Sequence, residues 1–193
     1  MRTKSDRQLH PILHFRTITK HKLLVMHYCF RAGLYRQGLL HDLSKYSPTE
    51  FIPGCRYYQG NRSPNNAERE DIGVSTAWLH HKGRNLHHFE HWVDYSPESE
   101  RLIMGAKMPR RYIVEMVMDR ISASRVYLGD AYSDAEPLKY WLKSKDRCWF
   151  VHPGTARELE GLLRILSDHG EEKLFWFIRN VYLNKNRRSI KAL

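Results

Sequence analysis

The sequence predicts an all-α protein, and three observations carry that expectation. Apolar residues recur at helical spacing over long segments, prolines and glycines sit where helices start and stop, and a period-two strand pattern is almost absent. At 193 residues the chain has the length of one domain that can bury a core without a disulfide or metal staple. We therefore expect a single helical domain over 1–193.

The elements follow in order. The first dozen residues are polar and basic and read as a loose arm that turns at Pro11. From Ile12 to Gln37, the residues Ile18, Leu23, Leu24, Val25, Tyr28, Phe30, Leu34 and Tyr35 predict one long helix. His21 shares a face with Thr17, Leu24, Val25 and Tyr28 and so points inward, with His27 as the alternative on another face. Gly33 and Gly38 loosen the chain before a short helix that carries His41 and Asp42. Ser47-Pro48-Thr49-Glu50 reads as a capping box with proline at the first helical position, and Pro53-Gly54 should end or kink that helix early. Residues 60–66 form a loop, after which Asn65 or Asn66 caps a helix from Ala67 to Lys82, closed by Gly83. His80 and His81 lie in its last turn, and the segment from Arg84 to Trp92 mixes His87, His88 and His91 with aromatic residues. A polar turn spans Ser96 to Glu100, and Pro109 opens a strong helix from Arg110 to about Leu128. Loops continue to His152, followed by helices from Thr155 to His169 and from Glu171 to about Asn184, and a basic tail over 185–191 that frays.

Composition narrows the function classes. The net charge of +11 suits anionic partners such as nucleotides, nucleic acid or an acidic surface, without choosing among them. Cys29, Cys55 and Cys148 are far apart and odd in number, which argues against a disulfide framework and a zinc ribbon and for a reducing cytoplasm. No run approaches the roughly 18 apolar residues that a bilayer span requires, so no membrane association is expected. A Gly-rich phosphate loop and a Gly-x-Ser-x-Gly elbow are both missing.

Histidine is the unusual component, with 12 residues, five of them between His80 and His91. His41-Asp42 closes an apolar run, and a carboxylate taken out of water costs several kcal/mol unless a cation or hydrogen bonds compensate it. A metal ion shared with the imidazole would do so; a surface pair at a helix end is the alternative. Asp119 lies on the face of Tyr112, Met116, Ala123 and Val126, where a solvated carboxylate is hard to explain, although Arg120 or Arg125 could pair with it. His80 and His81 at a helix end also suit the macrodipole without any metal.

The ordered ligand candidates are His21, then His41 and Asp42, then His80 and His81 with His87 or His88 close by, then Asp119. This order resembles the HD-domain metal-dependent phosphohydrolase superfamily. Three segments carry the resemblance: His21-Lys22-Leu23-Leu24-Val25-Met26, Leu39-Leu40-His41-Asp42-Leu43-Ser44-Lys45 and Met118-Asp119-Arg120-Ile121-Ser122-Ala123. More narrowly, the chain is similar to a small group of HD-like proteins from bacteria and phages. The resemblance covers about residues 15–128, leaving about 129–193 as a helical extension.

It implies a helical bundle around a metal pocket, with His21, His41, Asp42, His80, His81, His88 and Asp119 as ligands of one or two ions. Two-metal members place a further histidine between the His-Asp pair and the double histidine, where this chain has Glu68, Glu70 and Asp71. Asn85 follows the double histidine as in members that hydrolyse cyclic dinucleotides, but their Gly-Tyr-Pro is missing. Imidazole and carboxylate donors together suit Mn, Fe, Co, Ni or Zn, and an open coordination position lowers the pKa of water. The implied reaction is hydrolysis of a phosphate ester of a nucleotide or related small molecule. Asp42, Lys45 and Arg84 are the catalytic candidates, and Lys45, Lys82, Arg84 and Asn85 the substrate-binding ones; Lys82 also reads as a solvated helix end. The alternatives are an HD-type nuclease or nucleic-acid-binding protein using Tyr57, Tyr58, Trp78 and Trp92, and a di-iron HD-like oxygenase. A homo-oligomer is compatible with either class.

Overall fold

A computed structural model describes residues 8–96, 100 and 102–184. Among them the chain forms eight α-helices and one two-stranded sheet, so the protein is mostly helical. The loose arm and the basic tail lie wholly or largely outside the described residues, as does most of the turn expected over 96–100.

Helix α1 (Pro11–Arg31) starts with proline in its first turn and buries His14, Ile18, His21, Val25, Tyr28 and Cys29, a stripe at helical spacing. It ends six residues before the expected boundary at Gln37. Gly33 takes φ +80°, and the amides of Gly33 and Leu34 bond the carbonyls of Phe30 and Cys29, which is a Schellman closure. The chain then turns back into α2 (Tyr35–Leu40), which packs on α1. A 3-10 turn (Leu43–Tyr46) leads to α3 (Pro48–Arg56). This helix runs through Pro53-Gly54, where an early end or a kink was expected. The amide that Pro53 lacks would bond a carbonyl in the first turn, and Gly54 lets the His14 ring approach so closely that a methyl group would collide with it.

The helix expected from Ala67 to Lys82 is two helices, α4 (Pro64–Ile72) and α5 (Thr76–Arg84). Gly73 at φ +83° ends the first, and the Ser75 hydroxyl caps the second by accepting from the Trp78 amide at 3.0 Å. Ser63, not Asn65 or Asn66, stands at the N-cap of α4, and α5 continues through Gly83. Buried Glu68 ties the two together by accepting from the Ser75 hydroxyl at 2.5 Å and the Thr76 hydroxyl at 2.7 Å. Strands β1 (Val93–Tyr95) and β2 (Ile103–Gly105) pair antiparallel, where no strand was expected.

Helix α6 (Arg110–Leu128) has the bounds the sequence predicts, and it is enclosed on several sides. Its residues Ile113, Val117 and Ile121 join Val25 and Cys29 of α1 in one apolar cluster. That cluster also holds Trp141 of α7 (Glu136–Ser144) and Leu159, Leu163 and Leu166 of α8 (Pro153–Phe177). Helix α7 occupies a stretch expected as loop; it is short, and Leu138 and Trp141 supply the buried side. The last two expected helices are both present within α8, divided as expected at Gly170, whose φ of 76° and ψ of 177° are not helical, and a π-turn (Ile178–Tyr182) follows the second. Among the described residues, no helix is long and apolar enough to cross a membrane.

Candidate metal centre

The His-Asp pair is not on a helix. His41 caps α2 with φ −51° and ψ 127°, and Asp42 follows in the left-handed region at φ 54°. Adjacent helical residues diverge by about 100°, so a helix would separate the two side chains. The turn removes that divergence: His41 Nε2 and Asp42 Oδ2 lie 3.2 Å apart. Asp42 is the one non-glycine residue with positive φ among the described residues. Such a conformation costs of order 1–3 kcal/mol and persists where its surroundings demand it.

Around Asp42 the side chains divide into two groups. The first is His21, His41, Asp42 and Asp119. Asp42 Oδ2 stands 3.8 Å from His21 Nε2, while Asp119 Oδ1 stands 3.0 Å from His21 Nε2 and 3.8 Å from His41 Nε2. The second group is Asp42, His81, His87 and His88. Here the other oxygen, Asp42 Oδ1, is 3.3 Å from His81 Nε2 and 3.4 Å from His87 Nε2, and His81 Nε2 is 2.9 Å from His88 Nε2. One carboxylate thus faces both groups, one oxygen to each.

The residues fit a metal ion. His21 Nε2, His41 Nε2, His87 Nε2 and Asp42 Oδ1 are buried and have no partner aligned for hydrogen bonding, while Asp42 Oδ2 has the Lys45 ammonium at 2.6 Å. Polar atoms buried in that way are costly unless a cation collects them. Ligands that share an ion at roughly 2.0–2.2 Å stand about 3–4 Å apart, which is the spacing found in both groups. Three of the second ring nitrogens are held by carboxylates. His41 Nδ1 and His87 Nδ1 lie 3.0 and 3.2 Å from Glu115 Oε1, and His81 Nδ1 lies 2.7 Å from Glu50 Oε2. An Nδ1–H bonded to a carboxylate fixes the ring and leaves Nε2 as the donor toward a metal. His and Asp residues here can therefore coordinate an ion, of a kind the geometry leaves open.

Electrostatics follow from this crowding. Burial alone would raise the Asp42 carboxyl, but His41, Lys45 and His81 hold it well below the usual carboxylate range. Burial would lower His41, yet Asp42, Glu115 and Asp119 carry it up to about 9. His88 goes the other way, pushed well down by burial and then by His87 and His81. Lys45 Nζ stands 2.6 Å from Asp42 Oδ2, and this carboxylate overcomes burial to raise the ammonium above its ordinary value.

Several expected site residues lie elsewhere. His80 is outside both groups because its Nδ1 bonds Glu50 Oε1 at 2.7 Å, on the opposite side of that carboxylate from His81. His88 stands in the second group as expected, and His87, which the expected ligand set left out, stands there beside it. His27 is exposed on the outer face of α1. Arg84 is exposed at the end of α5, and Lys82 is half-buried there with its carbonyl facing the His91 ring. Asn85 turns inward to donate to the His81 carbonyl at 2.8 Å and the Ser44 hydroxyl at 2.9 Å, a structural use of its amide. Asp119 faces His21 at 3.0 Å and so does not depend on Arg120 or Arg125 for a partner. Sequence reasoning missed Glu50 and Glu115. Glu50 was read as the far half of a capping box, but the Ser47 hydroxyl is unbonded and Glu50 is buried against the histidines instead. Glu115 precedes Asp119 by four residues, so it shares that face of α6, and this spacing was the available signal.

A family model described as a family of unknown function (DUF5662) matches residues 11–165. The chain belongs to that family. The DUF5662 match starts at the head of α1 and runs into α8, so it contains every residue of both groups and continues past the segment that carries the HD resemblance. No curated protein and no solved structure gives a significant match.

Proposed function

We propose that this protein is a metal-dependent phosphohydrolase of HD type, acting on a phosphate ester of a nucleotide or related small molecule. The observation that carries the reading is the split use of Asp42, whose two oxygens each face a separate group of histidines. A shared carboxylate of this kind suits a pair of ions close together, and the histidine that two-metal relatives place earlier in the chain is replaced here by His87 and His88. Ions held there would supply Lewis acidity and water of lowered pKa for attack on phosphorus. The chain's own residues do the rest. Glu115 and Glu50 hold the imidazoles in the ligating tautomer. Lys45, 2.6 Å from the shared carboxylate, is the cation placed to offset charge that grows on the phosphoryl oxygens.

The test combines elemental analysis of the purified protein with a hydrolysis screen over nucleoside mono-, di- and triphosphates and cyclic dinucleotides, with Mn²⁺ supplied. Wild type should release phosphate or a nucleotide product. Lys45→Ala should keep its metal and lose about 10²-fold in kcat, the usual scale for one stabilising donor. Stoichiometric iron with no turnover of any phosphate ester would favour the oxygenase reading. Salt-sensitive binding of DNA or RNA without turnover would favour a nucleic-acid module.

A further inference from the structure

Lys22 follows His21 directly in α1, about 100° further round the helix, so His21 faces the metal centre while Lys22 reaches α2. Its ammonium donates to the Leu39 carbonyl at 2.8 Å and to the His41 carbonyl at 3.0 Å. Both lie at the C-terminal end of α2, where a helix leaves its last carbonyls without intrahelical partners and a cation is favoured. Satisfying a helix end would be reason enough for a lysine, but the second of these carbonyls belongs to the peptide that joins the two ligands His41 and Asp42. A peptide is planar, so a bond to its oxygen fixes the whole unit, and with it ψ of His41 and φ of Asp42.

Those two angles set the direction of the Asp42 side chain relative to that of His41. Their values, 127° and 54°, with φ −51° at His41 and ψ 25° at Asp42, are close to those of the central pair of a type II turn, whose second position ordinarily takes glycine. Turning the peptide over would give Asp42 the negative φ that L-residues prefer, and would swing the two side chains apart. Lys45 does not prevent this, because its Nζ meets the Asp42 carboxylate 2.6 Å away and holds the side chain, not the peptide. The Lys45 amide bonds the Asp42 carbonyl at 3.0 Å, beyond the two angles concerned. Lys22 is the group that holds the peptide itself. We infer that Lys22 is a positioning residue for the metal centre: by bonding the His41 carbonyl, it keeps the His41–Asp42 peptide in the orientation that converges both side chains on the two ligand groups. This inference rests on the metal reading of those groups and makes no use of turnover.

The experiment measures the Mn²⁺ affinity of the full-length protein from the electron paramagnetic resonance of free Mn²⁺, together with each metal-free melting temperature. Wild type is compared with Lys22→Met, which keeps the stem and removes the donors, and with Lys22→Arg, which keeps donors. Lys20→Met, at an exposed lysine of the same helix, controls for the lost charge. The sign of the change discriminates. Removing a positive charge near a cation site should, by Coulomb's law alone, tighten Mn²⁺ binding, so weaker binding reports lost geometry. Lys22→Met should bind Mn²⁺ roughly 10- to 100-fold more weakly, the scale on which releasing a strained backbone conformation shifts an equilibrium. Lys22→Arg should stay close to wild type, and Lys20→Met should be no weaker. The metal-free melting temperature of Lys22→Met should change little, because relaxation at Asp42 offsets the two lost bonds. Equal or tighter Mn²⁺ binding by Lys22→Met would overturn the assignment, as would equal losses in the Met and Arg variants. A Lys22→Met protein that fails to fold without metal, beside a folded Lys22→Arg, would make Lys22 a support of the whole fold and sink the assignment too. No Mn²⁺ binding by wild type would remove the metal centre and this inference together. Mn²⁺ binding that depends on Lys22, without hydrolysis of any phosphate ester, would count against the hydrolase reading alone and leave the positioning role standing.

Discussion

At the scale of single residues, the two oxygens of Asp42 make unequal predictions for neighbouring substitutions. Because each oxygen faces a different group, Asp42→Ala should remove a ligand from both, and metal content should fall to near zero. His88→Ala removes a ligand from the second group alone, so the metal held by His21, His41 and Asp119 should remain. Metal-to-protein ratios after gel filtration check both. Retention of metal by Asp42→Ala would show that the carboxylate does not serve as the common ligand. The visibility of these residues in the sequence varied with their local phase. His21 and Asp119 stood out as polar groups on apolar helical stripes whose phase is well defined. His80, His81, His87 and His88 lie after the breaks at Gly73 and Asn85, beyond which no helical phase carries over, so sequence spacing could not rank them. Glu50 was masked by a plausible local role as a cap, and a long-range contact prevailed over it.

At the scale of elements, the break at Gly170 places Glu171 where three helices meet. Its Oε1 accepts from the Tyr28 hydroxyl at 3.1 Å and from Arg125 at 2.7 Å, and Oε2 accepts from Arg31 at 2.7 Å, joining α8 to α1 and α6. Burial would raise this carboxyl, but the bonds from Arg125, Arg31 and Tyr28 hold it below the usual value. A carboxyl depressed in the folded state stabilises the protein above its unfolded pKa, near 4.3, and the contribution is lost as pH falls through the folded value. Glu171→Gln should therefore destabilise the protein by about 1–3 kcal/mol at pH 7, with the gap to wild type closing below about pH 4. Urea titrations of both proteins across that range measure it, and a gap that does not change with pH would assign the loss to packing. The long helices α1 and α6 were legible because their apolar stripes are long enough to define a period. Helix α7 and the small sheet were not, since their few residues define no period, and the boundaries at Arg31 and Ile72 depended on left-handed glycines whose role only the packed structure reveals.

At the scale of the whole molecule, the ligands come from elements remote in sequence: α1, the end of α2, α5, the segment after it and α6. An ion in the first group would link α1, the end of α2 and α6 across nearly one hundred residues, one in the second would add α5 and the segment after it, and neither has a preformed site in the unfolded chain. Chelation should lower the melting temperature on the order of 10 °C, from about 4 kcal/mol at a thousandfold excess over Kd, and added metal should restore it. An unchanged melting temperature after verified metal removal would count against a centre built from these residues.

Glu115 touches His41 of one group and His87 of the other through the same oxygen, at 3.0 and 3.2 Å. The conformational freedom lost when the first ion fixes one imidazole and this carboxylate is freedom that the second ion no longer has to remove. Loading should consequently be cooperative, with a Hill coefficient above one and few half-loaded molecules, unless repulsion between the two cations outweighs the shared ordering. Native mass spectrometry during a Mn²⁺ titration counts those populations, and Glu115→Gln, which keeps the shape but weakens the link, should let half-loaded molecules accumulate.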